Sequence, residues 1–347
     1  MCRRLDLVAT AVALALLAVG AMPASADPPP AAAGNTSHGF LVDRGVVATI
    51  DHPKATTIPA TPEEQAGTAT TGIDDRGRIV GAYLGRDLVG RHFVRDRNGR
   101  FETLDDPPGG SDFDEYVDIN NRGEIVGFYN DAEGVTTTGF LRDKKGRFTS
   151  IDVPGSRATG PLKINDRRQV VGIYIDAEGE LHGFLWNDGD FQAIDVPGAA
   201  GTGVLGINNR GQMVGSYRDA EGAYHGFLRD RRGAVTILRD APGADPTMGG
   251  TQPVSINDHG QIVGLAYDAQ GGSRGFLLER GVLRPIEATP DAVFTRPLDI
   301  NNRGQIVGDY GTKPPATASS PSSDAADRLA GSGLADPLGM SLSEAPG

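Results

Sequence analysis

One phrase recurs along this chain: an apolar residue, Asn or Asp, two further residues, usually Gly, a short apolar run and a closing Gly. Its copies run from Ile73-Asp74 to Gly81, Ile119-Asn120 to Gly127, Ile164-Asn165 to Gly172, Ile207-Asn208 to Gly215, Ile256-Asn257 to Gly264 and Ile300-Asn301 to Gly308. From Asp74 to Asn301 the steps are 46, 45, 43, 49 and 44 residues. A period of this length belongs to repeat architectures, in which a unit buries its apolar surface only against its neighbours.

Residues 116–153 show the grammar of one unit. An extended run at 116–119 meets the turn Asn120-Asn121-Arg122-Gly123, where Asn tolerates left-handed backbone and Gly supplies positive φ. Residues 124–129, 135–142 and 147–153 read as three further strands, separated by Gly-bearing turns. Short strands joined this way make a four-stranded antiparallel meander. Other units keep Asp-Ala-Glu-Gly or a close relative after the second strand, and Gly-Phe in the third. Outside the N-terminus no segment has a 3.6-residue apolar period, so helix is expected to be scarce.

Four strands per unit of this length fit the blade of a β-propeller. The array begins mid-unit, with His38-Gly39-Phe40 and residues 46–51 supplying strands three and four. It stops mid-unit, with residues 298–300 and 305–310 supplying strands one and two. The two halves complete each other, which a ring requires and an open array does not. The expected fold is therefore all-β, a six-bladed propeller whose sixth blade joins both ends over residues 38–310. An open or differently closed array is the alternative.

The triplets His38-Gly39-Phe40, His182-Gly183-Phe184 and His225-Gly226-Phe227, set between Ile-Asn phrases, resemble the HAF family of bacterial extracellular repeats. The chain departs from that pattern with Gly in place of Ala, and with Thr138, Arg274 and Arg91-His92-Phe93 in other units. The resemblance implies secretion and a repeat fold, and brings no established catalytic activity.

The ends support export. Arg3 and Arg4 precede an uncharged apolar stretch, and Ala24-Ser25-Ala26 is a small-residue cleavage site, so residues 1–26 read as a signal peptide. The stretch is short for a bilayer, and no second one follows, which argues against a membrane span. Residues 27–37 and 311–347 are rich in Pro, Ala, Ser and Gly and read as disordered flanks. The one cysteine, Cys2, falls before the cut, so the exported protein would rely on its core rather than on disulfides. A net charge of −12 argues against a nucleic-acid partner, since phosphate binding needs clustered cations. The expectation is a monomer.

No nucleophile elbow, His-Glu-x-x-His or phosphate-cradling loop is present. The repeated asparagines and Asp74 could ring an axis and hold calcium, but each opens a turn that itself demands Asn, Asp or Gly. Histidines His38, His92, His182 and His225 are read at equivalent strand positions, spread around the ring rather than gathered at a metal. Function belongs where the repeats disagree. The residue before each Ile-Asn phrase varies, and Asp118, Lys163 and Asp299 could meet at the axis. The link between the first two units carries Asp112, Asp114 and Glu115, on a face expected to be acidic. Trp186, the sole tryptophan, would suit sugar stacking if exposed. The leading reading is a secreted, non-catalytic binding or scaffold module for a protein, glycan or cation. The alternative is a propeller hydrolase or lactonase with an axial metal ion, using Asp118 and Asp299.

Overall fold

The computed structural model describes residues 36–56, 66–87, 89–108, 115–130 and 136–312. The expected signal segment, nearly all of the N-terminal flank, the tail beyond Thr312, and Asp112 and Asp114 lie outside the described residues. Within them the chain is almost wholly strand and turn, with one 3₁₀ turn at Pro246–Met248. No described helix is long and apolar enough to cross a membrane.

The strands pair as consecutive antiparallel meanders. The first comprises Ala66–Ile73, Ile79–Leu84, Gly90–Arg95 and Phe101–Thr103. The second comprises Glu115–Ile119, Ile125–Asn130, Thr137–Arg142 and Phe148–Ile151. The third comprises Ala158–Ile164, Gln169–Ile175, Leu181–Asn187 and Asp190–Ile194. The fourth runs through Gly201–Ile207, Met213–Arg218, Tyr224–Arg229 and Val235–Ile237. The fifth runs through Thr251–Ile256, Ile262–Tyr267, Ser273–Glu279 and Val282–Ile286. A mixed module draws on both ends of the array. Ala292–Ile300 pairs with Ile306–Thr312, which pairs with Thr36–Asp43, which pairs with Val46–Ile50.

Two short parallel bridges depart from the simple meander. Thr36 and Ser37 pair with Ala66 and Gly67, and Ala158 pairs with Thr137, so two pairs of modules merge into eight-stranded sheets. Gly67 has φ 124°, and a Cβ there would lie 1.8 Å from the Ser37 carbonyl oxygen. Backbone packed that closely admits no side chain.

The conserved grammar of the unit has a packing cause. Each first strand carries a β-bulge just before its end, for example between Pro161 and Lys163 and between Pro297 and Asp299. The bulge drives a first-strand carbonyl toward the Gly that closes each apolar run. A Cβ on Gly308 would lie 1.9 Å from the Arg296 carbonyl oxygen, and one on Gly215 2.0 Å from that of Gly203 and 3.0 Å from the Phe227 ring. The ring thus lies where the missing side chain leaves room, and Phe40, Phe93, Phe140, Phe184, Phe227 and Phe276 are all fully buried. The core is laid down between modules. One cluster joins Val126, Leu141 and Ile151 of the second to Ile164, Val170 and Phe184 of the third. Another joins Ile50 and Val307 of the mixed module to Ile73 and Ile79 of the first.

Candidate functional site

A bulge redirects the side chain that follows it. Here the redirected residues are Gly72, Asp118, Lys163, Gly206, Ser255 and Asp299, one per module, where the first strands converge. Space there is short. A Cβ on Gly72 would meet the Asp118 carboxylate at 2.8 Å, and one on Gly206 would meet the Val254 carbonyl oxygen at 2.9 Å. The two glycines leave room for one long side chain. Lys163 Nζ lies 3.4 Å from Asp118 Oδ1 on the preceding module and 2.9 Å from Asp299 Oδ1, three modules further on.

The three charges expected to converge therefore do so, and they satisfy one another. Asp118 Oδ2 also accepts from the Ile164 amide at 2.8 Å, and Asp299 Oδ2 from the Ile73 amide at 2.8 Å. The Ser255 hydroxyl donates to Asp299 Oδ1 at 2.6 Å. Asp118, Lys163 and Asp299 are each at most 5% exposed. Burial pushes the Asp118 carboxyl up to about 7; Lys163 pulls against that and Asp299 adds to it. Burial opposes the Lys163 ammonium, but the two carboxylates outweigh it and hold its pKa above the ordinary lysine value.

Around this cluster run two circuits of hydrogen bonds. In the first, Asn120, Asn165, Asn208, Asn257 and Asn301 each donate Nδ2 to the backbone carbonyl of the corresponding residue in the next module. Each Oδ1 accepts amides from its own turn, as with Asn165 and the amides of Arg167 and Gln169. Asp74 has no amide group to donate. Arg78 bridges the gap, binding Asp74 at 2.6 Å and donating to the Asn120 carbonyl at 3.3 Å. The other modules have Glu or Gln in the place of Arg78.

In the second circuit the adjoining residues are Asp75, Asn121, Asp166, Asn209, Asp258 and Asn302. Each backbone amide donates to the Oδ1 of the next, at 2.7–2.9 Å. Each Asn Nδ2 bridges the Oδ2 atoms of the Asp on either side. An Asn beside an Asn would oppose donors, and an Asp beside an Asp would oppose charges, so the two must alternate. Sequence reasoning missed this circuit. Its signal is the order Asp, Asn, Asp, Asn, Asp, Asn along the chain.

Other nominated residues fare differently. Trp186 is 5% exposed and packs in the cluster between the second and third modules, so it offers no sugar platform. Glu115 opens its strand opposite Phe128. His38, His182 and His225 each sit opposite a tyrosine of their own sheet and pack against it, with centroids 5.0–5.2 Å apart. They also bind acids of the turns and strand ends, as with His182 to Asp176 and Asp195. His92 is not equivalent to them. It fills the slot that Gly occupies elsewhere and is buried, while Arg91 faces Tyr83. Among the described residues no cluster of three His, Cys, Asp or Glu side chains is arranged for a metal ion.

The axial opening, lined by the ends of the first strands, measures about 70 Å³. A water needs roughly 10–15 Å³ on this scale, so the opening accommodates a few waters and no sugar or lactone ring. Asp118 has the pKa of a general acid, but its oxygens are taken by Lys163 and the Ile164 amide.

No family model matches the chain, and no curated protein matches it significantly in sequence. Among solved structures it is similar to a candidate TolB from Agrobacterium tumefaciens, with TM-score 0.57 and 9% identity over 81% of this chain and 99% of that one. Similarity to TolB from Acinetobacter baumannii has TM-score 0.48 and 11% identity, covering 80% of this chain and 64% of that one, less than two thirds of that protein. A fungal lectin from Aleuria aurantia, described as a six-bladed β-propeller that recognises fucose, has TM-score 0.43 and 12% identity over 64% of this chain and 78% of that one. At such identities the likeness is one of fold, and only the first is close enough to bear on it. The fold is all-β, built of four-stranded antiparallel modules, and it is shared in outline with the candidate TolB.

Proposed function

We propose that this protein is a secreted, non-catalytic binding or scaffold module that engages an extracellular protein, glycan or cation. In this reading it is a six-bladed propeller of the HAF-repeat kind, with both ends of the array building one blade. Export rests on the signal-like residues 1–26, and blade sharing on the pairing of Thr36–Asp43 with Ile306–Thr312.

One observation carries the non-catalytic part: Lys163 occupies the axis and takes up both carboxylates that a hydrolase or lactonase would give to a metal. An ammonium within 3.4 Å of both leaves no coordination site for calcium, which needs six to eight oxygen ligands. The protein is therefore proposed to work without an axial metal.

Elemental analysis of the purified, processed protein tests this, together with melting in the presence and absence of a chelator. The expected result is substoichiometric metal and an unchanged melting temperature. A stoichiometric calcium ion, lost together with turnover of a lactone in Asp118→Asn, would overturn the reading in favour of the hydrolase.

A further inference from the structure

The two ends of the strand modules carry unlike charge. The turns after second strands, and the links between modules, hold acids such as Asp176, Glu178, Asp219 and Asp268. The opposite end holds the turns that follow the first and third strands. There the fourth residue of the repeated phrase is Arg76, Arg122, Arg167, Arg210, His259 or Arg303, and every one is exposed. The carboxylates of the first-strand turns are engaged: Asp75, Asp166 and Asp258 lie in the alternating circuit, Asp74 pairs with Arg78, and Glu124 pairs with Arg168. A chain of net charge −12 thus carries five arginines and a histidine around one mouth of its axis.

The ring deepens at one place. Between the mixed and first modules a cleft of about 330 Å³ is lined by Arg76, Arg78, Asp96, Arg97, Asn98 and Arg303. Arg78 is committed to Asp74, and the Asp96 carboxylate accepts the amides of Asn98 and Arg100 at 2.9 Å. Arg76, Arg97 and Arg303 are exposed and pair with no carboxylate among the described residues. Three guanidiniums around one concave space make a fork-shaped donor set for planar or tetrahedral oxyanions. The volume suits a single anionic ring, at the lower end of small-ligand pockets.

We infer that this cleft binds the oxyanion groups of an acidic polysaccharide through Arg76, Arg97 and Arg303, the rest of the cationic mouth steering the chain of sugars. The inference rests on the reading of the protein as a binding module and names its ligand class. A polysaccharide fits better than a nucleic acid because no aromatic side chain lines the cleft to stack a base. Distributed negative charge elsewhere also disfavours a stiff, densely charged duplex.

The test uses the processed protein and four probes: polygalacturonate, heparin, inorganic sulfate and duplex DNA, with neutral dextran as a blank. The variants are R76Q/R97Q/R303Q and, as a control at the acidic end, R274Q. The expected result is binding to polygalacturonate or heparin that weakens at least tenfold from 50 to 300 mM salt. Binding should fall at least tenfold in the triple variant, stay unchanged in R274Q, and leave the melting temperature of both within a degree or two. No binding to either polysaccharide, equal binding by the triple variant, binding of inorganic sulfate alone, or tighter binding of DNA would each overturn it. These outcomes leave the binding-module reading standing, because that reading fails on turnover or bound metal, which are measured separately.

Discussion

Two groups of charges in this molecule are treated in opposite ways. Asp118, Lys163 and Asp299 are buried at the axis, and every one has a charged partner and a hydrogen bond. Arg76, Arg97 and Arg303 line a cleft between the mixed and first modules, exposed and ion-paired with no carboxylate among the described residues. A buried charge costs several kcal/mol unless compensated, so the inner group serves the fold and its chemistry is exhausted in doing so. An exposed guanidinium costs almost nothing in stability, so the outer group remains available to a ligand. The contrast teaches where to look: not at the residues with the most perturbed environment, but at those whose partners are missing.

Removing the inner cation breaks the comparison most forcefully. Lys163→Met leaves two buried carboxylates facing each other and should cost about 3–5 kcal/mol in denaturant unfolding. The triple variant D118N/K163M/D299N keeps acceptors for the Ile164 and Ile73 amides and should recover most of the loss. If the single change costs less than about 1 kcal/mol, the inner group does not hold the fold together. A smaller effect, about 2–3 kcal/mol, is expected for N209D, which sets a third carboxylate between Asp166 and Asp258 where Asn209 now bridges them. Acidification should return part of it.

The same contrast marks what the sequence made legible. The period, the four strands and the partial end units were all visible, because strand-and-turn grammar is local and repeated. The variable position holding Asp118, Lys163 and Asp299 could also be picked out. What could not be seen is that a bulge turns those residues inward, since a bulge is an event between strands. Trp186 was readable in principle: it lies two residues beyond Phe184 on the same strand, so alternation puts both on one buried face. The Asp/Asn alternation and the run of arginines following it were equally present in the chain. They escape notice because each residue looks like an ordinary turn former until neighbouring modules are set side by side.

Titration sharpens the comparison from the inside. Asp118 holds its proton in the folded state up to about 7, against about 3.8 when unfolded. Below about pH 4 both states are protonated and the group costs nothing. As pH rises from there toward 7 the unfolded chain ionises first, so stability falls across that window. Between pH 7 and pH 5.5 the Asp118 contribution should amount to about 2 kcal/mol. Other groups titrate in the same range; burial lowers His52 to about 4, which works in the opposite direction. The quantity to measure is therefore the difference between wild type and D118N in unfolding free energy at the two pH values. Parallel curves would show that the axial carboxyl is ionised throughout.

The smallest expected effect is a swap within the first circuit. Asp74 and Arg78 together do what Asn165 and Gln169 do in the third module: the first residue caps the turn, and one donor reaches the next carbonyl. R78Q alone strips the guanidinium from a carboxylate with no exposed surface, and D74N alone leaves the guanidinium without its acid. Each single change should cost about 1–2 kcal/mol. D74N/R78Q rebuilds the pairing of the other modules and should unfold within about 0.5 kcal/mol of wild type, giving a coupling energy of at least about 1 kcal/mol. Additive losses would mean that the first module is anchored by something other than its place in the circuit. Binding to polygalacturonate offers a second readout on the same variants. The guanidinium of Arg78 is spent inside the fold although it borders the cleft, so the double variant should bind as wild type does while R76Q/R97Q/R303Q does not.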